Sequence, residues 1–300
     1  MVLGIDHGYG FMKTRDCIFG ASVAGFDYQP GLMERVVEYK GKYYAVGNVP
    51  DGMASDKTIN QDYYILTLAA IAEQLKLQSI TKTSVTIAAG LPLTRFGSEK
   101  ESFRKYLLQN KEVKFSYEGI PYSITIDDVK LYPQGYAALV PYFSQIEGGC
   151  YLVEIGTGTT EIIYIDSEKM CDMKSAHTAQ YGMSNCIAQV NEEINRLFSS
   201  ELKSSQIIDI ILGKTVKTSP KALEVCKSAI SKFADDTLKM LHQKNVNYML
   251  TQTYIGGGGA LALEKFSKNL NLDDTCITFI SDIHANARGY EYLAKASAAQ

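Results

Sequence analysis

Two short glycine-rich turns, each entered through a carboxylate, carry the residue types that grip phosphate. The first is Asp6-His7-Gly8-Tyr9-Gly10, which follows the apolar run Val2-Leu3-Gly4-Ile5 and leads to Lys13. The second is Glu154-Ile155-Gly156-Thr157-Gly158-Thr159-Thr160, which follows Tyr151-Leu152-Val153. In such turns glycine lets backbone N–H groups converge on an anion, and threonine hydroxyls add donors. A carboxylate at each mouth suits Mg²⁺, bound directly or through its waters, so Asp6 and Glu154 are the metal candidates. Lys13 adds a cation that can meet phosphate charge. A third glycine run, Gly256-Gly257-Gly258-Gly259, joins an apolar stretch to a helical one, where a flat ring or a phosphate can approach the backbone beside a helix N-terminus. Gln134, between Pro133 and Gly135, is the side chain that could aim a water at a γ-phosphate without acting as a base. Each feature alone has a plain structural alternative: a hairpin turn, a strand lysine, a chain-reversing loop, a capping glutamine. The pair of carboxylate turns, one per half, carries the signal.

The elements that must hold these residues follow from the hydrophobic pattern. Strands are expected over 2–5, 11–15 and 18–24, with a hairpin at 34–39 and 43–46. Residues 62–77 are apolar nearly all round, which predicts a helix buried between layers. A buried strand at 84–89 runs into Gly90-Leu91-Pro92-Leu93-Thr94, and Ser98 with Glu101 reads as a capping box that starts a helix. A hairpin at 113–117 and 122–126, a short strand at 129–132 and a helix over 134–143, kinked or shortened by Pro141, complete the first half. The second half repeats strand, turn, strand at 150–153 and 162–165. Helices follow at 183–198 and 205–212, and a long one is capped by Ser219-Pro220. A strand at 248–255, a helix at 260–270, a strand at 276–280 and a terminal helix at 285–298 close the chain. This order implies α/β layers.

Composition narrows the class. With 300 residues, 46% hydrophobic and 21% charged, the chain reads as an ordinary globular protein of one large or two ordinary domains. No apolar run approaches the roughly 18 residues of a membrane helix, and Val2-Leu3-Gly4-Ile5-Asp6 reads as a strand, not a secretory leader. Six scattered cysteines and four isolated histidines show no metal-ligand spacing and fit a reduced, cytoplasmic setting. A net charge of −3 without a Lys/Arg run argues against direct nucleic-acid binding. The 20 tyrosines suit protein contacts or half-buried strands.

The order phosphate turn, connecting helix, second phosphate turn, glycine loop and C-terminal helix resembles the actin/Hsp70/sugar-kinase ATPase superfamily. More narrowly, the chain resembles the bacterial actin-like ParM/StbA group. Asp6-His7-Gly8-Tyr9-Gly10-Phe11-Met12-Lys13 is similar to that group's first phosphate motif, and Gly90-Leu91-Pro92-Leu93-Thr94-Arg95-Phe96 to its Leu-Pro-Leu-Thr strand end. Pro133-Gln134-Gly135-Tyr136 corresponds to the first connecting helix, and Ile255-Gly256-Gly257-Gly258-Gly259-Ala260 to the adenosine motif. Ala285-Asn286-Ala287-Arg288-Gly289-Tyr290 resembles the closing Ala-Asn-x-Arg-Gly segment.

The resemblance implies an actin-like (ribonuclease H-like) duplicated two-domain ATPase fold with a central nucleotide cleft. Domain I would be 1–148 joined by the C-terminal helix 284–300, and domain II 149–283 with a compact outer subdomain at about 199–247. It implies ATP, with GTP as the alternative, and Mg²⁺. Gly8, Tyr9, Gly10, Lys13, Gly156, Thr157, Gly158, Thr159 and Gly256 to Gly259 would hold the nucleotide. Asp6 and Glu154 would organise the metal, and Gln134 would orient the attacking water. Glu154 stands where the group usually has Asp, and its extra methylene still reaches a metal-bound water. The implied function is a cytoplasmic filament-forming ATPase that self-associates and segregates plasmid or phage DNA through an adaptor protein. A small-molecule kinase of the same superfamily and a cytoskeletal actin-like protein without a DNA role are the alternatives. Neither a sugar-site signature nor a membrane-anchoring amphipathic helix is present in the sequence.

Overall fold

The computed structural model describes residues 1–47, 58 and 60–298. The chain divides into two compact units, Met1–Val140 with His284–Gln300, and Pro141–Ile283. The first unit contains strands β1 (Val2–His7), β2 (Phe11–Thr14), β3 (Ile18–Phe26), β4 (Val36–Tyr39), β5 (Lys42–Gly47), β6 (Lys82–Leu91), β7 (Glu112–Tyr117) and β8 (Ile120–Pro133). Among the described residues these eight strands form a closed ring in the order β1-β2-β3-β5-β4-β7-β8-β6. The expected layers are therefore joined edge to edge here. Closure rests on the parallel pairing of β6 with both β1 and β8.

Helix α1 (Asp62–Leu77) explains the all-round apolar pattern, because it packs against β1 to β5 and β7 of the ring. Residues from Tyr63 to Leu75 are buried on every face except at Glu73. Even Glu73 is engaged, accepting a hydrogen bond from the Tyr117 hydroxyl at 2.6 Å and pairing with Arg35 at 3.2 Å. Strand β8 runs unbroken through the position expected to separate two strands. A register shift opposite Val85/Thr86, between Ile126 and Asp128, absorbs the irregularity as a bulge.

Helix α2 (Leu93–Leu107) starts earlier than the Ser98/Glu101 pattern implied. Pro92 takes the N-cap position in an extended conformation, with φ −50° and ψ 135°, and its fixed φ launches the helix without a side-chain cap. Ser98 sits inside the helix, where its hydroxyl bonds back to the Arg95 carbonyl at 3.0 Å. The segment read as one helix over 134–143 also differs. Helix α3 (Tyr136–Leu139) is a single turn that passes into a 3₁₀ segment, Val140–Gln145, at Pro141. Gln134 precedes the helix instead of beginning it.

The second unit is a five-stranded sheet with helices. Its strands are β9 (Cys150–Ile155), β10 (Thr160–Ile165), β11 (Cys171–Ala179), β12 (Thr253–Gly256) and β13 (Ile277–Phe279), in the order β11-β10-β9-β12-β13. Helices α4 (Met183–Phe198), α5 (Ser204–Leu212), α6 (Pro220–Gln243) and α7 (Ala260–Phe266) belong to the same unit. Val153 and Ile155 of the sheet, Val190 of α4, Ile210 of α5 and Phe233 of α6 share one apolar core. Edge strand β11 was not expected, because Cys171 to Ala179 is polar and mostly exposed. Strand β12 is shorter than the apolar stretch 248–255. Asn247 folds the preceding residues into a turn, its Oδ1 accepting from Met249 N at 3.2 Å and its carbonyl from Leu250 N and Thr251 N. Helix α7 ends at Phe266, and Asp235 of α6 then takes hydrogen bonds from the Ser267 hydroxyl and the Lys268 amide.

The chain returns to the first unit as helix α8 (Ala285–Ala296), packed on β1, β6 and α3. Its Ala294 and Tyr290 form an apolar cluster with Ala88 and Ala137. Among the described residues no helix is long and apolar enough to cross a membrane.

Candidate functional site

In the first unit β1 and β2 form an antiparallel hairpin in which Asp6 lies directly opposite Lys13. Opposed residues of a hairpin share a face, so the spacing places the carboxylate and ammonium together. Lys13 Nζ donates to Asp6 Oδ2 at 3.1 Å. Gln134 Nε2 donates to Asp6 Oδ1, also at 3.1 Å. Both oxygens of this buried carboxylate are thus held by residues that the sequence reading had selected. Gln134 is placed by the end of β8, where its own amide donates to the Leu91 carbonyl at 2.9 Å.

The turn between the strands, Gly8-Tyr9-Gly10, is braced from α1. The Tyr63 hydroxyl donates to the Gly8 carbonyl at 3.3 Å. Burial, then the neighbouring Tyr9, Tyr106 and Asp6, hold the Tyr63 phenol well above its ordinary value, so it stays protonated and able to donate. Tyr9 at the turn's apex meets Arg95 of α2 through its hydroxyl, and the guanidinium also lies 5.7 Å from its ring centroid. His7 is buried, with Nε2 at 2.8 Å from the Thr67 hydroxyl. It serves the packing beneath the turn.

In the second unit the turn Gly156-Thr157-Gly158-Thr159 is built from backbone. Gly156 N closes on the Thr159 carbonyl at 2.8 Å. The first amides of α4 then donate to the turn: Met183 N to the Gly156 carbonyl at 3.0 Å and Ser184 N to the Thr157 carbonyl at 2.7 Å. Gly182 makes this possible, because a Cβ there would stand 2.7 Å from the Gly156 oxygen and 2.8 Å from Thr159 N. Asn185 Oδ1 accepts from Gly182 N at 2.9 Å and fixes the helix entry. The positive end of a 16-residue helix thereby lies at the turn.

The glycine run joins the same cluster. Gly259 N donates to the Ile155 carbonyl at 3.0 Å, and Gly257, at φ +84°, takes the left-handed conformation that brings the loop there. Gly256 pairs with Glu154 in parallel register, and a Cβ on Gly256 would stand 3.0 Å from Glu154 Oε2. Gly258 is exposed. The predicted residues therefore form two constellations. Asp6, Gly8, Tyr9, Gly10, Lys13 and Gln134 lie in the first unit; Glu154, Gly156 to Thr159 and Gly256 to Gly259 lie in the second.

Family models match both halves of the chain. Residues 4–136 match a model of the N-terminal domain of actin-like proteins, and residues 152–268 match the C-terminal part of an archaeal MreB-like actin homologue. The chain belongs to the actin-like proteins. Among solved structures, the archaeal actin homologue Ta0583 superposes with a TM-score of 0.78 at 21% identity, over 98% of this chain and 99% of that one. That protein has also been solved in complex with ADP. ParM of a 15-stranded filament from Clostridium botulinum gives 0.72 at 19% identity, over 98% and 99%. ParM of Bacillus thuringiensis with ATP gives 0.73 at 14%, over 99% of each chain. At these identities the superpositions establish the actin-like two-domain α/β fold. A comparison with curated proteins finds no match.

Two contributors to this actin-like site carry no motif in the sequence, and a third stands in a motif whose contact was not foreseen. Glu161 lies directly opposite Glu154 on β10, in the register that Lys13 takes opposite Asp6. The equal spacing of seven residues was the available signal. The Gly182–Asn185 entry to α4 is brought in by tertiary packing and left no local mark, whereas Asn286 of α8 stood in the closing Ala-Asn-x-Arg-Gly segment without a role attached to it. Asn286 Oδ1 accepts from Gly135 N at 2.9 Å. Among the described residues, no group of three or more His, Cys, Asp or Glu side chains is gathered for a metal. An all-oxygen set of one or two carboxylates completed by phosphate is the arrangement Mg²⁺ favours. A hollow of roughly 460 Å³ lined by Glu38, Lys40, Lys82, Lys114 and Tyr122 touches none of these residues.

Proposed function

We propose that the protein is an actin-like ATPase that binds magnesium nucleotide with its glycine turns and assembles into filaments. The observation that carries the reading is the Asp6–Lys13–Gln134 arrangement, with both carboxylate oxygens engaged at 3.1 Å directly beneath a glycine turn. A lysine, a carboxylate and a glutamine at one phosphate turn supply charge neutralisation, a metal partner and a water-orienting amide. These are the parts phosphoryl transfer to water requires.

In this reading backbone N–H groups of the Gly8–Gly10 turn and of Thr157 to Thr159 hold phosphate oxygens, while the first amides of α4, bonded to the turn's carbonyls, keep the second turn in shape. Lys13 moves its charge between Asp6 and the phosphates. Gln134 keeps Nε2 on Asp6, which turns Oε1 toward an incoming water as an acceptor. It orients that water and takes no proton itself. Asp6 and Glu154 would be the oxygen donors for Mg²⁺, which would shield the phosphate charge. The Gly256–Gly259 loop accommodates the nucleoside, and ATP is the assigned nucleotide.

The filament part draws support from the ParM filaments among the structural relatives. Head-to-tail contacts that do not close would extend such an assembly indefinitely. The acidic net charge of −3 suits a filament that reaches DNA through a separate adaptor. The role proposed for it is segregation of plasmid or phage DNA in the cytoplasm. Light scattering and negative-stain microscopy test assembly: polymer is expected with Mg-ATP and shorter or no polymer with ADP. Absence of assembly at any protein concentration removes the filament reading.

A further inference from the structure

We infer that Asn286 is a positioning residue for Gln134, acting through the peptide of Gly135; the inference rests on the hydrolysis reading above and refines it. Gln134 leaves the last strand of the ring and is followed by Gly135 at φ 71° and ψ −53°. Only glycine takes that conformation without strain, and glycine is also the residue with most backbone freedom to lose. A water-orienting side chain next to it needs an outside constraint.

Two hydrogen bonds provide one on each side. Gln134 N is tied to the Leu91 carbonyl at 2.9 Å. Gly135 N is tied to Asn286 Oδ1 at 2.9 Å in a buried setting. The contact from Gln134 Nε2 to Asp6 fixes one end of the side chain. The direction of Oε1 then depends on where the main chain stands, and that is what Asn286 sets.

Asn286 is itself held. A Cβ on Gly289, one turn along α8, would overlap the Ala137 carbonyl, so only glycine lets α8 lie against α3. Tyr290 is fully buried and stacks on Tyr132 with centroids 6.4 Å apart. Arg288 Nε donates to the Arg15 carbonyl at 3.1 Å, and His284 Nδ1 stands 2.8 Å from the Thr14 carbonyl, pinning the helix to the end of β2. The Asn286 oxygen is therefore a fixed point presented to a flexible one.

The test is steady-state ATP hydrolysis and calorimetric nucleotide binding for the full chain and the variants Asn286→Ala, Asn286→Asp, Gln134→Ala and the double Asn286→Ala/Gln134→Ala. Asn286→Ala is expected to lower kcat by about tenfold to a hundredfold with KM and nucleotide affinity unchanged, the size of a small misplacement of a reacting group. Asn286→Asp keeps an acceptor oxygen and is expected to restore most of kcat. The double variant should be no slower than Gln134→Ala alone, as for residues acting as one unit. Unchanged kcat in Asn286→Ala, or a double variant slower by the product of the two effects, overturns the inference while leaving the hydrolysis reading intact. Wild-type turnover in Gln134→Ala overturns the reading itself. Should Asn286→Ala fail to fold, hydrogen exchange of the wild-type Gly135 amide decides: protection like that of β8 supports the tie, and exchange at loop rates removes it.

Discussion

The two glycine turns of this chain are built from different materials. At the first, side chains act: Asp6 faces Lys13 across the hairpin and holds Gln134 with its other oxygen. At the second, backbone acts: the Gly156–Thr159 carbonyls take the first amides of α4, and the glycine loop lies on Ile155. The same register carries opposite electrostatics. Lys13 stands opposite Asp6, whereas Glu161 stands opposite Glu154. Opposite charges across a hairpin support it, and like charges weaken it. The first hairpin thus sets opposite charges face to face, and the second sets two carboxylates face to face.

The largest expected effect comes from breaking the backbone-built turn. Gly182→Val forces a side chain into the Gly156–Thr159 backbone, and overpacking of that kind should cost about 3 kcal/mol or more. Chemical denaturation would read the loss, and a titration should find nucleotide binding lost as well. Unchanged stability would mean that α4 and the turn are not interlocked.

The electrostatic contrast comes next. Lys13→Gln removes a charge-assisted bond to a carboxylate only 4% exposed and should cost roughly 1.5–3 kcal/mol. Glu161→Gln at the equivalent position should cost clearly less, because it relieves a like-charge pairing. Its signature is a weaker response of melting temperature to added Mg²⁺ and nucleotide. Equal costs for the two substitutions would erase the distinction between the turns.

A thiol probe sharpens the same contrast at smaller scale. Cys186 lies on the first turns of α4, and burial pushes its thiol up to about 12 from an ordinary 9.0. It should resist alkylation at pH 8 while the exposed Cys276 reacts. The sign for stability follows: a raised folded-state value favours the native state fully below pH 9, and that contribution fades as pH climbs from about 9 toward 12. Rapid native labelling of Cys186 would show that the helix end at the second turn opens readily.

The smallest effect concerns where a helix begins. Ser98→Ala should change stability by no more than about 0.5 kcal/mol, since its hydroxyl only bonds back within α2. A loss of about 1 kcal/mol, the usual cost of removing an N-cap, would restore Ser98 as a helix start.

These contrasts also mark what the sequence could and could not reveal. Both turns were legible because glycine, carboxylate and flanking strand are local features. The helix at Asp62–Leu77 was legible because a pattern apolar on every face admits few placements. Glu161 was missed although its spacing from Glu154 repeats that of Lys13 from Asp6; pairing register had not been read across the hairpins. Gly182 was beyond local reading because it acts across a tertiary contact; Asn286 was legible as part of the closing motif, but its partner, 151 positions away, was not. The start of α2 was misplaced because a capping pattern at Ser98 and Glu101 outweighed the fixed φ of Pro92. The strand Cys171–Ala179 was passed over because its polar edge position removes the usual alternation.

The central claim is that these glycine turns bind magnesium nucleotide, and calorimetric titration of Mg-ATP tests it most directly. The wild type should bind Mg-ATP, and Asp6→Ala and Glu154→Ala should each weaken that binding about tenfold or more, the size of losing one charge-assisted contact. A wild type that takes up neither ATP nor GTP, or a Glu154→Ala variant that binds as tightly as the wild type, would contradict the account.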